Sequence, residues 1–281
     1  MASNVTKIKA RLNVVNGAYK VTSAMKLIST IKLKSTRSKM LSQRHFSNEL
    51  DETCNQVFTY LENVNHPLMS VNEKANKNLY IVVSSSLGLC GAYNSNIFKL
   101  ADASIKKEDE AIILGNKGLI HFANSEFTSI EGYEEYASSK DKKFINKIIE
   151  YVMSTYQKGD YKEIHMIYTT YKNPLTFIAK DVTLLPFSFT PVKGNVGIPP
   201  LLEPNKEELV NFLIPFYLNN KLYSCLVESE VCEYASRNNA MENATNNAEE
   251  LMEELQLEFN KARQSAITQE IVEIVGASKG V

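Results

Sequence analysis

FYLNNKLYSCLVESEVCEYASRNNAMENATNNAEELMEELQLEFNKARQSAITQEIVEIV, from Phe216 to Val275, is the stretch on which the fold turns. No glycine and no proline lies between Pro215 and Gly276. Roughly sixty residues at about 1.5 Å each predict one continuous helix on the order of 90 Å long. A typical globular helix has only about 10–14 residues. The small and apolar residues Ala235, Ala240, Ala244, Ala248, Leu251, Leu255, Phe259, Ala262 and Ala266 recur at three-four spacing. Such a stripe requires a partner helix, and its alanines let that partner come close.

The first sixty-odd residues supply the partner. From about Asn4 to Val64 the pattern is helical, with Val5, Ile8, Leu12, Val15 and Tyr19 on one face and Phe46, Leu50, Cys54, Val57, Phe58 and Leu61 further on. Between them, from Ser29 to Ser42, the stripe thins to Ile31, Leu33, Met40 and Leu41 among basic and hydroxyl residues. At this basic waist the helix is expected to leave its partner or meet a different surface. No acidic residue precedes Glu49, whereas Glu228 to Glu258 holds nine glutamates against Arg237 alone. The two ends are complementary in charge although the net charge is −1.

Between the rods the periodicity changes. Leu79 to Val83 and Ala111 to Leu114 are short apolar runs, as expected of strands buried on both faces. Glu163 to Tyr171 and Thr176 to Leu185 also read as strands, and Phe127 to Ile130 as an edge strand. Asn94–Lys106, Lys117–Asn124 and Phe144–Gln157 read as helices. Ile145, Ile148, Ile149, Val152 and Met153 share one side of the last. Strand-helix alternation predicts a Rossmann-like α/β domain inserted between paired terminal helices. Thr190 to Asn205, rich in Pro and Gly, is read as the connector back, and Pro215 as an interruption of the final helical region. The expected division is 1–66 for the first helix, 67–204 for the α/β foot with its connectors, and 205–281 for the second helix.

The most site-like segment is Ser84 to Asn94 (SSSLGLCGAYN), which follows the first buried strand and opens a helix, where α/β proteins hold phosphates. Gly88 and Gly91 do not complete G-x-G-x-x-G, and there is no G-K-[ST]. No acidic residue stands about 20 positions on to grip a ribose, so neither nucleotide nor another cofactor is expected. Cys90 beside a helix start has the position of an activated thiol, with His121 or His165 as its base. A small packed thiol is the reading preferred. His45, His66, His121 and His165 show no metal spacing, and Cys54, Cys90, Cys225 and Cys232 form no CxxC pair. Free thiols in a reducing compartment are expected. The basic waist lacks the interleaved aromatics of a nucleic-acid surface, so an acidic protein partner is expected there instead. No run approaches the roughly 18 apolar residues of a membrane span, and the basic start continues too far as helix to read as a transit peptide. No catalytic centre is assigned.

The wording of the second rod resembles the gamma subunit of F-type ATP synthases, bacterial in type. The likeness rests on Glu228–Met241, Asn243–Ala248, Phe259–Gln264, Ile267–Glu270 and Glu273–Gly276. Ser23–Leu27, Gly88–Gly91 with Asn94, and Glu203–Pro204 with Tyr223 add to it. The resemblance implies an antiparallel coiled coil inside a ring of alpha and beta subunits. The α/β domain would then meet the epsilon subunit and the membrane c-ring, on the cytoplasmic face of the bacterial membrane. The chain would be a non-catalytic rotor shaft, or else a related shaft or adaptor in a rotary-derived ATPase. Met25 and Lys26 match the pair facing an acidic beta loop, and Arg237, Gln264, Thr268 and Glu273 match polar beta contacts. Glu203, Gly88, Cys90 and Gly91 are assigned to the foot, facing the c-ring and epsilon. Glu242 stands where a lysine is usual, Ser86-Leu87 replaces Asp-Arg, and Asn238 and Asn239 thin the apolar wording beside Arg237.

Overall fold

The computed structural model describes residues 2–61, 66–134, 136, 138–139, 141–174, 176–187, 189, 201–203 and 205–278. Glu62 to Asn65, where the first rod was expected to end, and most of the Thr190–Asn205 connector lie outside the described residues. The described elements are α1 (Ala2–Tyr60), β1 (Leu79–Val83), α2 (Tyr93–Ser104), β2 (Glu110–Leu114), α3 (Asn116–His121), β3 (Thr128–Ser129), α4 (Lys142–Lys158), β4 (Ile164–Asn173), β5 (Thr176–Leu185) and α5 (Lys206–Ser278). Two compact units result. One comprises Met1–Ile31 with Arg237–Val281, the other Lys32–Ser236. Both unit boundaries fall inside the long helices.

In the larger unit a five-stranded sheet runs in the order β3-β2-β1-β4-β5. β1 is parallel to β2 and β4, β2 is parallel to β3, and β5 closes the edge antiparallel to β4. The continuous apolar run of β1 follows from its central place. Leu79, Ile81 and Val83 enter one apolar cluster with Ile148, Val152 and Tyr156 of α4 and Ile214, Leu218 and Leu222 of α5. Tyr80 and Val82 enter another with Ile97 and Ala101 of α2, Met40 of α1 and Val231 of α5. Alternate side chains thus leave opposite faces of the strand, and both faces are covered. α4 has the expected buried face, capped by the Asp141 carboxylate accepting from Phe144 N at 3.1 Å and ended by Gly159 at φ 82°. The edge strand is shorter than expected, with only Thr128 and Ser129 paired to Glu110 and Ala111.

α5 starts ten residues before the quoted stretch and runs through Pro215 without a break. The Asn205 side chain caps it, accepting from Glu208 N at 2.9 Å while its amide donates to Glu208 Oε1 at 2.8 Å. An interior proline costs a helix about 3 kcal/mol through one lost hydrogen bond and a ring clash. Here Leu213, Ile214 and Leu218 are all buried around it, and burial of each such side chain is worth about 1.5–3 kcal/mol. Packing on both sides of Pro215 therefore outweighs the local defect, and the expected interruption does not occur.

The antiparallel edge is held by a polar node. His165 Nδ1 lies 3.1 Å from Asp181 Oδ1 across the β4–β5 pair, its Nε2 lies 3.0 Å from Glu163 Oε2, and its ring stacks on Tyr80 at 4.9 Å. Burial pulls the imidazole pKa down, but hydrogen bonds and charge from Asp181, then Glu163, outweigh it and raise the pKa above the ordinary 6.5. A raised folded-state pKa contributes stability that is complete below 6.5 and is lost as pH rises through the folded value. Urea unfolding of the wild type is therefore expected to show a midpoint falling from pH 6 upward. His165→Gln should flatten that slope, and an unchanged slope would contradict the assignment.

Candidate functional site

The candidate sites of this molecule are surfaces. Among the described residues no group of three or more His, Cys, Asp or Glu is arranged to hold a metal. The segment after β1 folds inward on itself. Ser84 Oγ lies 2.8 Å from Leu114 O and accepts from Gly118 N at 2.9 Å, so α3 begins against the end of β1. Gly115 at φ +95° makes this approach possible, since a Cβ there would stand 2.2 Å from Ser84 O. Asn94 braces the following loop, its Oδ1 accepting from Ser85 N at 3.0 Å and its amide donating to Ser85 Oγ at 2.7 Å.

Cys90 is 2% exposed. Its sulfur neighbours Ser85 Oγ at 3.6 Å and the Asn94 amide at 3.3 Å, not either candidate histidine. His165 is engaged with Asp181 and Glu163 as described, and His121 stacks on Phe98 at 4.2 Å. The packed-thiol reading is the one that fits this geometry. Gly91 and Glu203 are exposed and Gly88 is half-buried. With Cys90 inward, the outward surface of the loop is apolar: Leu87 and Leu89 are both exposed, Leu89 in the left-handed region at φ 61°.

In the smaller unit α1 and α5 run antiparallel, joined by polar rungs at near-regular steps. Thr22 meets Thr245 at 3.0 Å, Lys26 Nζ donates to Glu242 Oε1 at 2.8 Å, and Thr30 Oγ1 lies 2.7 Å from Asn238 Oδ1. The ladder places Met25 and Lys26 near the Arg237 end of this unit. Arg237 is 4% exposed, so its side chain is enclosed, while Met25 and Lys26 are half-buried. Glu242 is thus the acceptor for Lys26. Gln264, Thr268 and Glu273 are all exposed and form a separate group. Thr268 Oγ1 donates to Gln264 O at 2.9 Å, and Glu273 accepts from the Gln269 amide at 3.0 Å. From Glu242 to Gln264, at about 1.5 Å per residue, is on the order of 30 Å along the helix.

Two surface features were missed in the sequence. Every residue from Ile267 to Val275 is exposed, including Ile267, Ile271, Val272, Ile274 and Val275. This end of α5 therefore shows a run of exposed apolar side chains. On α1, Val14, Val21 and Ile28 with Leu27 and Ile31 are exposed on the side opposite Ile8 and Leu12. The seven-residue spacing of Val14, Val21 and Ile28 was the available signal, hidden by the stronger first stripe.

The family model described as "ATP synthase" matches residues 4–281. The ATP synthase gamma chain of Mycoplasmopsis pulmonis (strain UAB CTIP) is 34% identical over 279 residues, covering 98% of this chain and 99% of the relative. That settles the family. The chain belongs to the ATP synthase gamma chains. The gamma chain of Mycoplasma mobile is 36% identical over 284 residues, covering 99% of each. In fold, the chain is similar to one in the cryo-EM structure of the Euglena gracilis mitochondrial ATP synthase OSCP/F1/c-ring, in rotational state 3. The TM-score is 0.69 at 17% identity, with 100% of this chain and 95% of that one covered.

Two substitutions check this geometry. Gly115→Ala must leave φ +95° or displace Ser84, and is expected to destabilise the α/β domain by about 3 kcal/mol or more, read by denaturant unfolding. Glu242→Gln breaks an ion pair whose side chains are 36% and 48% exposed, and should cost less than about 1 kcal/mol in the same measurement. A larger loss would mean that the Lys26–Glu242 rung holds the register of the pair.

Proposed function

We propose that the chain is the central rotor shaft of an F-type ATP synthase, turning with an ion-driven c-ring and setting the conformations of catalytic beta subunits. The observation that carries this reading is the exposed apolar end of α5. Nine consecutive exposed residues rich in Ile and Val, Ile267 to Val275, form a helix end that water does not favour. A closed protein ring would remove that surface from water and still let the helix turn, because apolar contact has no fixed direction. In this reading ATP chemistry belongs to the partners and the shaft times it.

In this reading 1–66 and 205–281 are the shaft and 67–204 the foot. Met25, Lys26, Arg237, Gln264, Thr268 and Glu273 serve beta contacts. The foot meets the c-ring and epsilon through Glu203 and the Gly88–Cys90–Gly91 loop, with Leu87 and Leu89 as its outward residues. Among the described residues no helix is long and apolar enough to cross a membrane. A peripheral place on the cytoplasmic face of a bacterial membrane fits a shaft that stands on a membrane ring. A shaft in contact with three beta subunits shifts their states only if its contact free energy differs between conformations. The enclosed Arg237 fits a positioning role within the helix pair, and Met25 with the Lys26 ammonium forms the more accessible contact.

The deciding experiment is co-purification with a tagged chain from its native cell. Alpha and beta subunits are expected, and their absence would end the rotor reading and leave a static coiled-coil adaptor. Within the complex, Met25→Lys adds a cation beside Lys26 and is expected to lower protons pumped per ATP by about threefold or more, with assembly intact. Truncation after Gln269 should reduce torque in single-molecule rotation more than it reduces complex yield. Equal loss of both would assign Glu270 onward to assembly.

A further inference from the structure

Three consecutive residues of α5 are tied to the surrounding elements in a way the surface contacts above do not use. Glu228 Oε1 accepts from the Arg44 guanidinium of α1, from Thr170 Oγ1 at 2.9 Å and from Tyr171 N at 3.0 Å. Arg44 also donates to Tyr171 O at 2.6 Å. Ser229 is fully buried, its Oγ 2.8 Å from Tyr93 OH of α2 and 3.4 Å from Thr169 N of β4. Glu230 Oε2 accepts from Ser139 Oγ, which also takes the Lys39 ammonium of α1 at 3.3 Å. The next apolar residues on either side, Val227 and Val231, are completely buried.

Successive helical residues point about 100° apart, so these three span roughly 200° of the helix circumference. Their partners lie on α1, α2, β4 and the segment before α4. Apolar packing resists separation but has no preferred angle. Hydrogen bonds lose strength steeply with misalignment, and charge-assisted ones are the strongest. Rotation of α5 about its own axis within the larger unit would therefore misalign bonds on three sides together.

We propose that Glu228, Ser229 and Glu230 are the torsional clamp that fixes the α/β domain to α1 and α5, so that twist applied to the domain enters the helices without slack. The clamp rests on the rotor reading for its purpose, although not for its geometry. Glu228 acts as a positioning residue through Arg44 and β4, and touches no substrate.

The test uses the complete complex carrying full-length chains with Glu228→Gln, Ser229→Ala or both. Glu110→Gln, which breaks the Lys77–Glu110 pair elsewhere in the same sheet, serves as the control. With the catalytic head immobilised and stalled by nucleotide, the angular variance of a bead on the c-ring reports torsional stiffness. A rise of about twofold for each clamp variant and more for the pair is expected, with no change for Glu110→Gln and with ATP hydrolysis preserved. Unchanged variance in the clamp variants, or an equal rise in the control, overturns the proposal. Where Glu228→Gln does not assemble, Ser229→Ala carries the measurement, since it removes one hydroxyl and no charge. If the wild-type chain fails to assemble with alpha and beta subunits, the rotor reading falls. The clamp is then judged by amide hydrogen exchange in the free chain. Glu228→Gln should speed exchange jointly at 168–171 and 226–232, and no joint change would refute it.

Discussion

Neither long helix can bury its apolar stripe alone, and this constraint shapes everything else in the chain. Ile8, Leu12 and Val15 on α1 need the alanine-rich face of α5, and Met241, Thr245 and Leu255 on α5 need α1. The small residues bring the backbones close, which is why short side chains such as Thr22, Thr245, Thr30 and Asn238 can touch across the pair. These polar rungs satisfy each other, and a shifted register would cost most at Thr245, the buried member, whose hydroxyl would lose Thr22.

The opposite charges of the two rods act differently from a zipper. Lys26–Glu242 and Arg44–Glu228 are close ion pairs between the helices, but Glu249, Glu250, Glu253 and Glu254 are exposed, with Glu249 and Glu253 lining a groove beside Leu12 and Asn16 of α1. Exposed charges act on one another through water, weakly and within about 8 Å at physiological salt. The close pairs therefore matter where geometry is fixed, above all at Arg44. The basic waist takes its meaning from the same comparison. Three cations of this region have partners within the chain: Lys32 lies over the Tyr234 ring at 5.4 Å, Lys39 over Tyr223 at 4.9 Å, and Arg44 reaches both Glu228 and β4. Where the apolar stripe thins, directed polar contacts to α5 and the sheet replace it.

Periodicity made most of the fold legible. Leu79–Val83 and Thr176–Leu185 fall where their patterns put them, because a strand covered on both faces and a strand at a sheet edge leave different marks in a sequence. Pro215 was misleading, since a local rule about one missing N–H says nothing of Ile214 and Leu218 buried on either side of it. The two carboxylates that hold His165 could not be found by spacing, because Asp181 comes from the neighbouring strand through a register that only pairing fixes. Of the candidate site, wording alone singled out Met25, Lys26 and the α5 end, while the packed Cys90 thiol was read from its place in a tight strand-helix turn. The burial of Arg237 was not legible, because it depends on side-chain direction rather than on residue type.

The helix pair also presents unlike faces, and a shaft requires this. On α1 the outer side carries Val14, Val21 and Ile28 among Lys7, Lys9 and Lys20, with no acidic residue before Glu49. On α5 the exposed charges are the glutamates at 249, 250, 253 and 254, with 249 and 253 on the flank beside Leu12 and Asn16 of α1. A partner surface facing the first meets apolar contact and positive charge, and one facing the second meets negative charge. A uniform rod would contact every surrounding subunit equally and could select none of their states. Two helices of opposite charge, closed on each other along one seam only, make the free energy of contact depend on angle. This dependence is the physical property that a rotor needs and that neither helix has by itself.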